Sequence, residues 1–316
     1  MQFPVRFMPS SRLINWCAVA LLALWCLGQL IRDSYWLLAL LFYIPAAVLA
    51  TGFLGGCLLA LSRRNLRTAL LYGSLAALPT FAVLFVENSF SPRDRPTTGD
   101  GRVRAVHWNV VWGKLGWSRA RDRLKDLSAD VYVLSEVPVE FSADDFGGYS
   151  VVRFGTMAVV ARGTLGTPKR LQRAGTLKLY SVRWNSSSGP LELFVGDIDS
   201  NPLVFRHPLL VGLCSFIAQD TPDLVMGDFN SPRRSIALSA LPQGYHHAYH
   251  SVGSGWSYTW PVPCPIYAID HCIHGPRVRP IEYRLHGTTA SDHRIQVFDF
   301  DIDPSSPRPT RIGAAR

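Results

Sequence analysis

The chain has 316 residues and a formal net charge of +9, and 48% of its residues are hydrophobic while only 17% are charged. This balance is typical of a chain with membrane segments and argues against a fully soluble protein. The basic excess suits an anionic partner, and nucleic acid, lipid head groups and phosphorylated sugars fit it equally well. No Cys-x-x-Cys spacing is present, which disfavours a zinc or iron–sulfur centre.

Three long apolar runs precede Glu87, at residues 13–31, 35–61 and 68–86. Each is long enough to cross a hydrocarbon core, which takes about 20 helical residues. Pro45 and Pro79 lie inside two of the runs, and membrane helices tolerate proline when neighbours satisfy the freed carbonyls. The sequence therefore predicts a membrane domain at residues 1–87 with three transmembrane helices, against the alternative of buried helices in a soluble domain.

Basic residues in the short connections predict the orientation. They cluster before the first run and between the second and third, at Arg6, Arg12, Arg63, Arg64 and Arg67. The positive-inside rule then places the N-terminus in the cytoplasm, and three crossings place the rest of the chain outside it. Arginines at positions 93, 95, 102 and 104 count against this orientation. The prediction is a multi-pass protein of the inner or plasma membrane.

The remainder of the chain divides by composition. Residues 88–101 are rich in Ser, Pro, Thr and Asp and predict a linker. Residues 102–303 show short β-type runs separated by turn signals, and residues 304–316 have the composition of a disordered tail. An oxidising compartment would permit a Cys264–Cys272 bridge, and buried free thiols are the alternative.

Polar side chains follow several predicted strands. Residues 103–110 end near Asn109, and the apolar run 130–136 ends in Glu136, a carboxylate that needs a partner such as a metal ion if it is buried. In the run 223–230, strand alternation predicts that Asp228 and Asn230 share a face while Phe229 packs inward. A carboxylate can orient or deprotonate water and an amide can hold an anionic oxygen, although a plain strand-to-turn segment explains each motif alone.

One helix is predicted between the first two of these strands. Ser118 can cap it, it continues through Leu127, and Leu124 and Leu127 face inward.

Five short motifs in order resemble the signature of the endonuclease/exonuclease/phosphatase superfamily. They are Trp108-Asn109-Val110, Leu134-Ser135-Glu136-Val137, Gly227-Asp228-Phe229-Asn230, Ile269-Asp270-His271 and Ser291-Asp292-His293. The resemblance covers residues 102–300, the predicted catalytic domain within 102–303. With three preceding spans, the chain is similar to membrane-anchored bacterial members. The resemblance implies a four-layer α/β sandwich, with two packed β-sheets flanked by helices and a site at one edge.

The resemblance also implies the site residues. A divalent ion, Mg2+ or Mn2+, would be held by Asn109, Glu136 and Asp292. Asp228 would orient or deprotonate the attacking water. Asn230 would hold the scissile phosphate.

His293 would donate to a phosphate oxygen, with Asp270 fixing its tautomer and supporting its cationic form.

The chain departs from the family at Asp197. Many members have a histidine that reaches the phosphate where this chain has Asp197-Ile198-Asp199-Ser200. An acid there repels phosphate unless a cation or proton intervenes, so either a second metal binds or the substrate differs. His207 is a possible substitute, and turn capping by Asp197 and Asp199 is the alternative without a catalytic role.

Other aromatic and histidine clusters have ordinary explanations. A loop cluster explains His246, His247 and His250 better than a metal site does. Alternating Trp256, Tyr258 and Trp260 could stack on a base or meet a membrane, and an ordinary strand explains them equally well.

The favoured function is a membrane-anchored, metal-dependent hydrolase of phosphate esters acting outside the cytoplasm. A short tether favours a substrate in the lipid bilayer, a phosphorylated lipid or cell-envelope intermediate, and no obligate protein partner is expected. A metal-dependent nuclease is the second hypothesis. A non-catalytic anchored binding module and a transporter are weaker, because many polar groups converge in the outer part and the spans carry almost no charge.

Overall fold

The computed structural model describes residues 11–91, 101–172 and 175–303. The chain splits into two compact units, Met1–Glu87 and Asn88–Arg316. The predicted tail, residues 304–316, and residues 92–100 of the predicted linker lie outside the described residues.

The first unit is helical. Its α-helices are α1 Ser11–Ile31, α2 Trp36–Phe42, α3 Ala46–Ser62 and α4 Leu66–Phe81, and a π-helical turn, Ala82–Glu87, extends α4. Two helices are long and apolar enough to cross a membrane, Ser11–Ile31 and Leu66–Glu87. The pair α2 and α3 would form a third span if its two helices, bent by 52°, cross together.

The predicted second span is therefore a bent helix pair. The chain breaks between Phe42 and Ala46, where Pro45 lacks the N–H that would continue the helical ladder. Helix α1 satisfies carbonyls at the break, because Trp25 Nε1 donates to the Ile44 carbonyl at 3.1 Å and Gln29 Nε2 to the Phe42 carbonyl at 3.3 Å. Among the described residues the unit contains two candidate spans, or the predicted three if the bent pair crosses as one.

The second unit contains two mixed β-sheets. The first has the strand order β12-β13-β1-β2-β4-β3, and only β1 and β2 in it are parallel. Its strands are β1 Val103–Asn109, β2 Val131–Ser135, β3 Ser150–Phe154, β4 Met157–Ala161, β12 Val278–His286 and β13 Ile295–Ile302.

The second sheet has the order β10-β11-β9-β8-β7-β5, with β6 also paired to β7, and its only parallel pair is β8 with β9. Its strands are β5 Thr164–Leu165, β6 Lys169–Arg170, β7 Leu177–Ser186, β8 Gly189–Ile198, β9 Leu224–Asp228, β10 His246–His247 and β11 Asp270–His274. The helices of this unit are α5 Trp117–Leu127, α6 His207–Asp220, α7 Ile236–Ser239 and α8 Ala248–Val252.

The two sheets pack face to face between helical layers. Alternate residues such as Val133 on β2 and Met226 on β9 meet in one buried core between the sheets. The opposite face of the first sheet is covered by α5 through Leu124, and that of the second sheet by α6 through Leu213. This arrangement confirms the predicted four-layer α/β sandwich, since each sheet buries one face on its partner and the other on a helix.

Some of the predictions for individual strands, caps and cysteines are confirmed and others are wrong. Strands β1, β2 and β9 lie where the sequence predicts them, and Leu124 and Leu127 are buried as expected. The prediction that Ser118 caps α5 is wrong, because the helix already begins at Trp117 after Gly116. Cys264 and Cys272 are both free thiols, the first exposed and the second buried between the sheets, so the bridge is not formed.

The residues that follow Glu87 belong to the second unit. Asn88 Oδ1 accepts a hydrogen bond from the Ser257 amide at 2.7 Å, and the Ser89 carbonyl accepts one from the Gly255 amide at 2.6 Å. The Ser89 amide donates to the Tyr249 hydroxyl at 2.7 Å. The first residues of the predicted linker are thus fixed to the loop that follows α8.

Gly227 allows β8 and β9 to approach closely just before Asp228. Gly196 and Gly227 are register partners, and a Cβ atom added at Gly227 would lie 1.9 Å from the Gly196 carbonyl oxygen. A Cβ at Gly196 would lie 2.7 Å from the Phe229 ring. The glycine pair therefore fixes the strand spacing where the polar residues of β9 begin.

Gly227→Ala should destabilise the protein, because the new methyl group has backbone rather than a movable side chain in its way. We expect a loss of about 2 kcal/mol or more in the free energy of unfolding. Thermal unfolding of the full chain in detergent measures it. Gly212→Ala in α6 is the control, since nothing lies within 4 Å of its Cβ, and an unfolding temperature shared by both variants would contradict the prediction.

Candidate active site

Four charged residues form one row across the second sheet. Lys178 on β7 is the register partner of Asp197 on β8, which pairs with Asp228 on β9, which pairs with Asp270 on β11. Register partners on neighbouring strands point to the same face, and neighbouring strands lie about 4.8 Å apart. This face is the inner one, because Met226, two residues before Asp228, lies in the core between the sheets. Three carboxylates thus stand side by side at the edge of the core.

His293 faces this row from the loop before β13. Its Nδ1 lies 2.8 Å from Asp270 Oδ2, and its Nε2 lies 3.9 Å from Asp228 Oδ2. The backbone of His293 is fixed on both sides, since its amide donates to Ser291 Oγ at 3.0 Å and its carbonyl accepts from Trp108 Nε1 at 3.0 Å. The ring is therefore held against Asp270 with its second nitrogen toward Asp228.

The charges in this cluster are set by burial and by each other. Burial opposes the imidazolium, but the charge and hydrogen bond of Asp270 raise the pKa of His293 to about 10. Burial also opposes the Asp270 carboxylate, and His293 more than offsets it, so the pKa of Asp270 is lowered. Burial and the Asp270 charge raise the pKa of Asp228 well above its ordinary value. Asp270 and His293 form an ion pair, and Asp228 is the carboxylate most ready to take a proton.

Asn109 connects the first sheet to this row. It ends β1, and its Nδ2 donates to Asp228 Oδ2 at 3.0 Å. The same side chain lowers the pKa of Glu136, which follows β2, against the larger effect of burial. Its Oδ1 accepts from the Val111 amide at 2.9 Å. The Asn109 amide therefore connects the end of β1 to Asp228 in the second sheet and lies near Glu136.

Glu136 occupies a strained position. Its φ of 52° is in the left-handed region, which a non-glycine residue adopts at a cost of about 1–3 kcal/mol. Burial raises its pKa, and the negative charges of Asp197 and Asp292 add to the effect. A carboxylate held in this way gains from a nearby cation.

Asp292 completes the acidic surroundings. Its Oδ2 accepts from Trp260 Nε1 at 2.9 Å, while its Oδ1 is buried and has no hydrogen-bond partner among the described residues. A buried oxygen without a partner is destabilising, and a carboxylate oxygen can bind a cation instead.

Glu136 and Asp292 together fit a divalent metal ion. Both offer hard carboxylate oxygens, which Mg2+ and Mn2+ prefer, and the like charges of the two groups raise the energy of the pair without a cation. Asp292 Oδ1, which accepts no hydrogen bond among the described residues and lies 3.9 Å from His293 Nε2, could supply one ligand atom. Asn109 donates to Asp228 through Nδ2, and the predicted role of its Oδ1 as a metal ligand stays a prediction.

A second group of three residues has ligand atoms within 4.8 Å of one another, Asp228, Asp270 and His293. An imidazolium has no lone pair to offer a metal. Against the effect of burial, Asp270 raises the pKa of His293 to about 10, so without a metal ion this group is a hydrogen-bonded ion cluster, and a metal would have to displace the imidazolium proton.

Asp197 is neutralised by the protein itself. Lys178 Nζ lies 3.1 Å from Asp197 Oδ2, and Thr156 Oγ1 lies 3.4 Å from the same oxygen. Burial raises the pKa of Asp197, and Lys178 opposes this effect. The structure therefore places an ammonium group beside this acid, and a second metal there stays a prediction. Asp199 instead accepts from the Asn201 amide at 2.8 Å and stabilises a turn.

Asn230 does not share a face with Asp228 as an extended strand predicts. The strand ends at Asp228, and Asn230 adopts a φ of 48°. Its backbone amide donates to Asp228 Oδ1 at 2.9 Å and its Nδ2 to the Ile198 carbonyl at 2.8 Å. The turn keeps Asn230 beside Asp228 through hydrogen bonds, while Phe229 is buried as predicted.

The histidine cluster is not brought to this site. His247 Nε2 lies 2.9 Å from the Leu238 carbonyl, and burial lowers its pKa well below the ordinary value, so it is a neutral core residue. His246 is exposed on β10, His250 is exposed on α8, and His207 begins α6.

The aromatic residues at 256, 258 and 260 lie in no strand. Trp256 is 36% exposed, Tyr258 is 3% exposed, and Trp260 hydrogen-bonds Asp292. Sequence reasoning missed Trp260 and Lys178 as site residues.

Comparison with known proteins identifies the fold. Residues 106–293 match the model of the Endonuclease/Exonuclease/phosphatase family. An AP endonuclease from Archaeoglobus fulgidus is similar with a TM-score of 0.53 at 16% identity, over 63% of this chain and 100% of that one. An endonuclease/exonuclease/phosphatase from Beutenbergia cavernae gives 0.52 at 16% identity, over 66% and 74%. TDP2 from D. rerio, complexed with a single strand DNA product, gives 0.50 at 18% identity, over 64% and 100%.

At identities this low, the similarity to these structures shows a shared fold. A search of curated proteins finds no match.

The Asp270–His293 pair predicts how stability changes with pH. A histidine whose pKa is raised from 6.5 to about 10 stabilises the fold fully below pH 6.5, and this contribution is lost as the pH rises through about 10. Asp270→Asn removes the main group that raises the pKa of His293. The loss of stability with rising pH should therefore occur at lower pH and be smaller. Unfolding temperatures of the full chain in detergent between pH 6 and 10.5 measure both curves.

Asp122→Asn is the matched control, because Asp122 is exposed on α5 and pairs with Arg121 at the surface. Its curve should run parallel to that of the wild type. If the curve of unfolding temperature against pH for Asp270→Asn also ran parallel to that of the wild type, the predicted effect of the ion pair would be wrong.

Proposed function

We propose, since this chain belongs to the Endonuclease/Exonuclease/phosphatase family, that it hydrolyses a phosphorylated lipid or cell-envelope intermediate while anchored in a membrane. Family membership confirms the predicted enzyme class, a metal-dependent phosphoesterase. One observation carries the assignment to a site. The row of Asp228 and Asp270, with His293 across from it, lies beside the acidic pair Glu136 and Asp292.

Asp228 acts as the base toward the attacking water. Its raised pKa makes it a better proton acceptor than an ordinary aspartate at neutral pH, and two donors, Asn109 Nδ2 and the Asn230 amide, fix both of its oxygens. Fixed oxygens limit the directions from which water can approach. The carboxylate therefore orients the nucleophile as well as deprotonating it.

His293 stabilises the phosphate. As an imidazolium it donates through Nδ1 to Asp270, which leaves the Nε2 proton for a non-bridging phosphate oxygen. A positioned charged donor of this kind favours the transition state, in which negative charge develops on the oxygens. Asp270 keeps the ring protonated and correctly turned, and it does not itself need to contact the substrate.

Glu136 and Asp292, together with Asn109, would hold the divalent ion, Mg2+ or Mn2+. When bound, this ion supplies positive charge that polarises a phosphoryl oxygen. Asn109 keeps the Glu136 carboxylate and Asp228 in fixed relation, and Trp260 keeps Asp292 from rotating.

Asn230 has a second amide proton for substrate. A carboxamide has two N–H donors, and the Ile198 carbonyl takes one of them. The other can hold the scissile phosphate, as the family resemblance implies.

The apolar helices favour a substrate in the bilayer. An enzyme tethered by its own spans meets membrane-borne substrate at a high effective concentration. A nuclease is the second candidate, because the net charge of +9 suits DNA and the similar TDP2 structure contains a single strand DNA product.

The number of crossings decides the side of the membrane. If the bent pair α2 and α3 forms one span, three crossings place the second unit opposite the N-terminus, and the arginines of the connections place it outside the cytoplasm. Two crossings would return it to the cytoplasmic side. We favour three, since α1 satisfies the carbonyls at the break and so makes that backbone compatible with lipid.

The substrate class can be tested on the full chain in mixed micelles with Mn2+ or Mg2+. Lipid phosphates and lipid pyrophosphates should be hydrolysed faster than single-stranded or duplex DNA. Glu136→Gln should lower both activity and Mn2+ affinity, measured by calorimetry, on the order of tenfold or more, because it removes a charged ligand.

Glu140→Gln is the matched control, an exposed glutamate in the same loop. Unchanged Mn2+ affinity in Glu136→Gln would overturn the metal assignment. Faster hydrolysis of DNA would favour the nuclease, and metal binding without hydrolysis of any ester would favour an anchored binding module.

Orientation can be tested with the cysteine that the second unit exposes. Cys264 is exposed, so a membrane-impermeant maleimide should label it in intact cells or spheroplasts if the unit lies outside the cytoplasm. Cys264→Ser controls for labelling elsewhere. Labelling of Cys264 that requires lysis would place the unit in the cytoplasm and leave two crossings as the topology.

A further inference from the structure

Lys178 is the last residue of the charged row on the β7 side. Its Nζ lies 3.1 Å from Asp197 Oδ2 and 3.4 Å from Thr156 Oγ1. Its side chain is 44% exposed, whereas that of Asp197 is 9% exposed. The Lys178 ammonium is therefore hydrogen-bonded to a buried acid on one side and exposed to solvent on the other.

Thr156 places this ammonium close to the proposed metal ligands. The Thr156 carbonyl accepts a hydrogen bond from the Val137 amide at 3.0 Å, directly after Glu136. Asp197, in turn, is close enough to Glu136 for its charge to raise the pKa of that carboxyl. Lys178 thus belongs to the rim of the same site, on the side opposite His293.

A gain in folding stability does not by itself explain the ion pair of Lys178 and Asp197. Burying a carboxylate is costly, and its attraction to a partner repays that cost only when both groups are well satisfied. An ammonium has three N–H donors, and Asp197 and Thr156 account for two. A cation that is fixed, partly exposed and left with one donor is suited to bind an anion.

We infer that Lys178 binds a non-bridging oxygen of the substrate phosphate and that Asp197 is the residue that positions it. The inference rests on the proposed function and extends it to substrate recognition. A phosphate above Asp228 then has a cation on either side, His293 at one and Lys178 at the other. This arrangement offsets the repulsion that Asp197 would otherwise exert at a place where the family resemblance leads one to expect histidine.

Inorganic phosphate is the probe, titrated by calorimetry into the full chain in detergent with Mg2+. Lys178→Gln should weaken phosphate binding about tenfold or more, the value of one charged hydrogen bond. Lys178→Arg keeps the charge and the pairing with Asp197 and should retain most of the affinity. Lys169→Gln is the matched control, since it removes an exposed lysine from the neighbouring strand β6 and should bind as the wild type does.

The double variant Lys178→Gln/Asp197→Asn separates binding from neutralisation. It removes both charges, so it should recover the thermal stability lost in Lys178→Gln while phosphate binding stays weak. Wild-type phosphate affinity in the double variant would show that Lys178 merely neutralises Asp197 and would overturn the inference. Absence of phosphate binding by the wild type would also overturn it.

Failure of the proposed function is a separate result. If the wild type binds phosphate through Lys178 but hydrolyses no ester, the recognition stands and the hydrolase proposal falls.

Discussion

Three carboxylates in one register row are the constraint on which the site depends. Strand pairing alone places Asp197, Asp228 and Asp270 side by side in a region that excludes water, where unpaired negative charges are strongly unfavourable. Each receives a different compensation. Lys178 pairs with Asp197, and His293 pairs with Asp270. Asp228 keeps a raised pKa and accepts hydrogen bonds from two donors. The carboxylate proposed as the base, Asp228, is therefore the one without a hydrogen-bonded cation of its own.

The contacts that compensate this row also join the two sheets. Asn109 reaches from the first sheet to Asp228, Thr156 from the β3–β4 hairpin to Asp197, and His293 from the loop before β13 to Asp270. These residues lie at one edge, because β1, β2, β8 and β9 all end there. Folding and site assembly are thus the same event at this edge, and the sheets cannot separate without leaving buried charges unpaired.

The parts of this arrangement that sequence could predict are those set by local pattern. Apolar runs ending in Asn109, Glu136 and Asp228 predicted the strands and the polar residues at their ends. Lys178 could not be found, because nothing in its own segment shows that β7 pairs with β8 in the register that brings it to Asp197. The orientation of Asn230 was wrong since period-two alternation holds only while the backbone stays extended, and it stops at Asp228.

The loop that follows α8 links the start of the second unit to its chemistry. Asn88 holds Ser257, two residues before Thr259, whose Oγ1 accepts from the Asp270 amide at 3.2 Å. One residue further, Trp260 holds Asp292. Two of the acidic side chains are therefore positioned by a loop whose other end is fixed by Asn88, the first residue after the helical unit. The hydrogen bonds of Asn88 thus help to order the carboxylates of the candidate site, so the first residue of the predicted linker is part of the framework of that site.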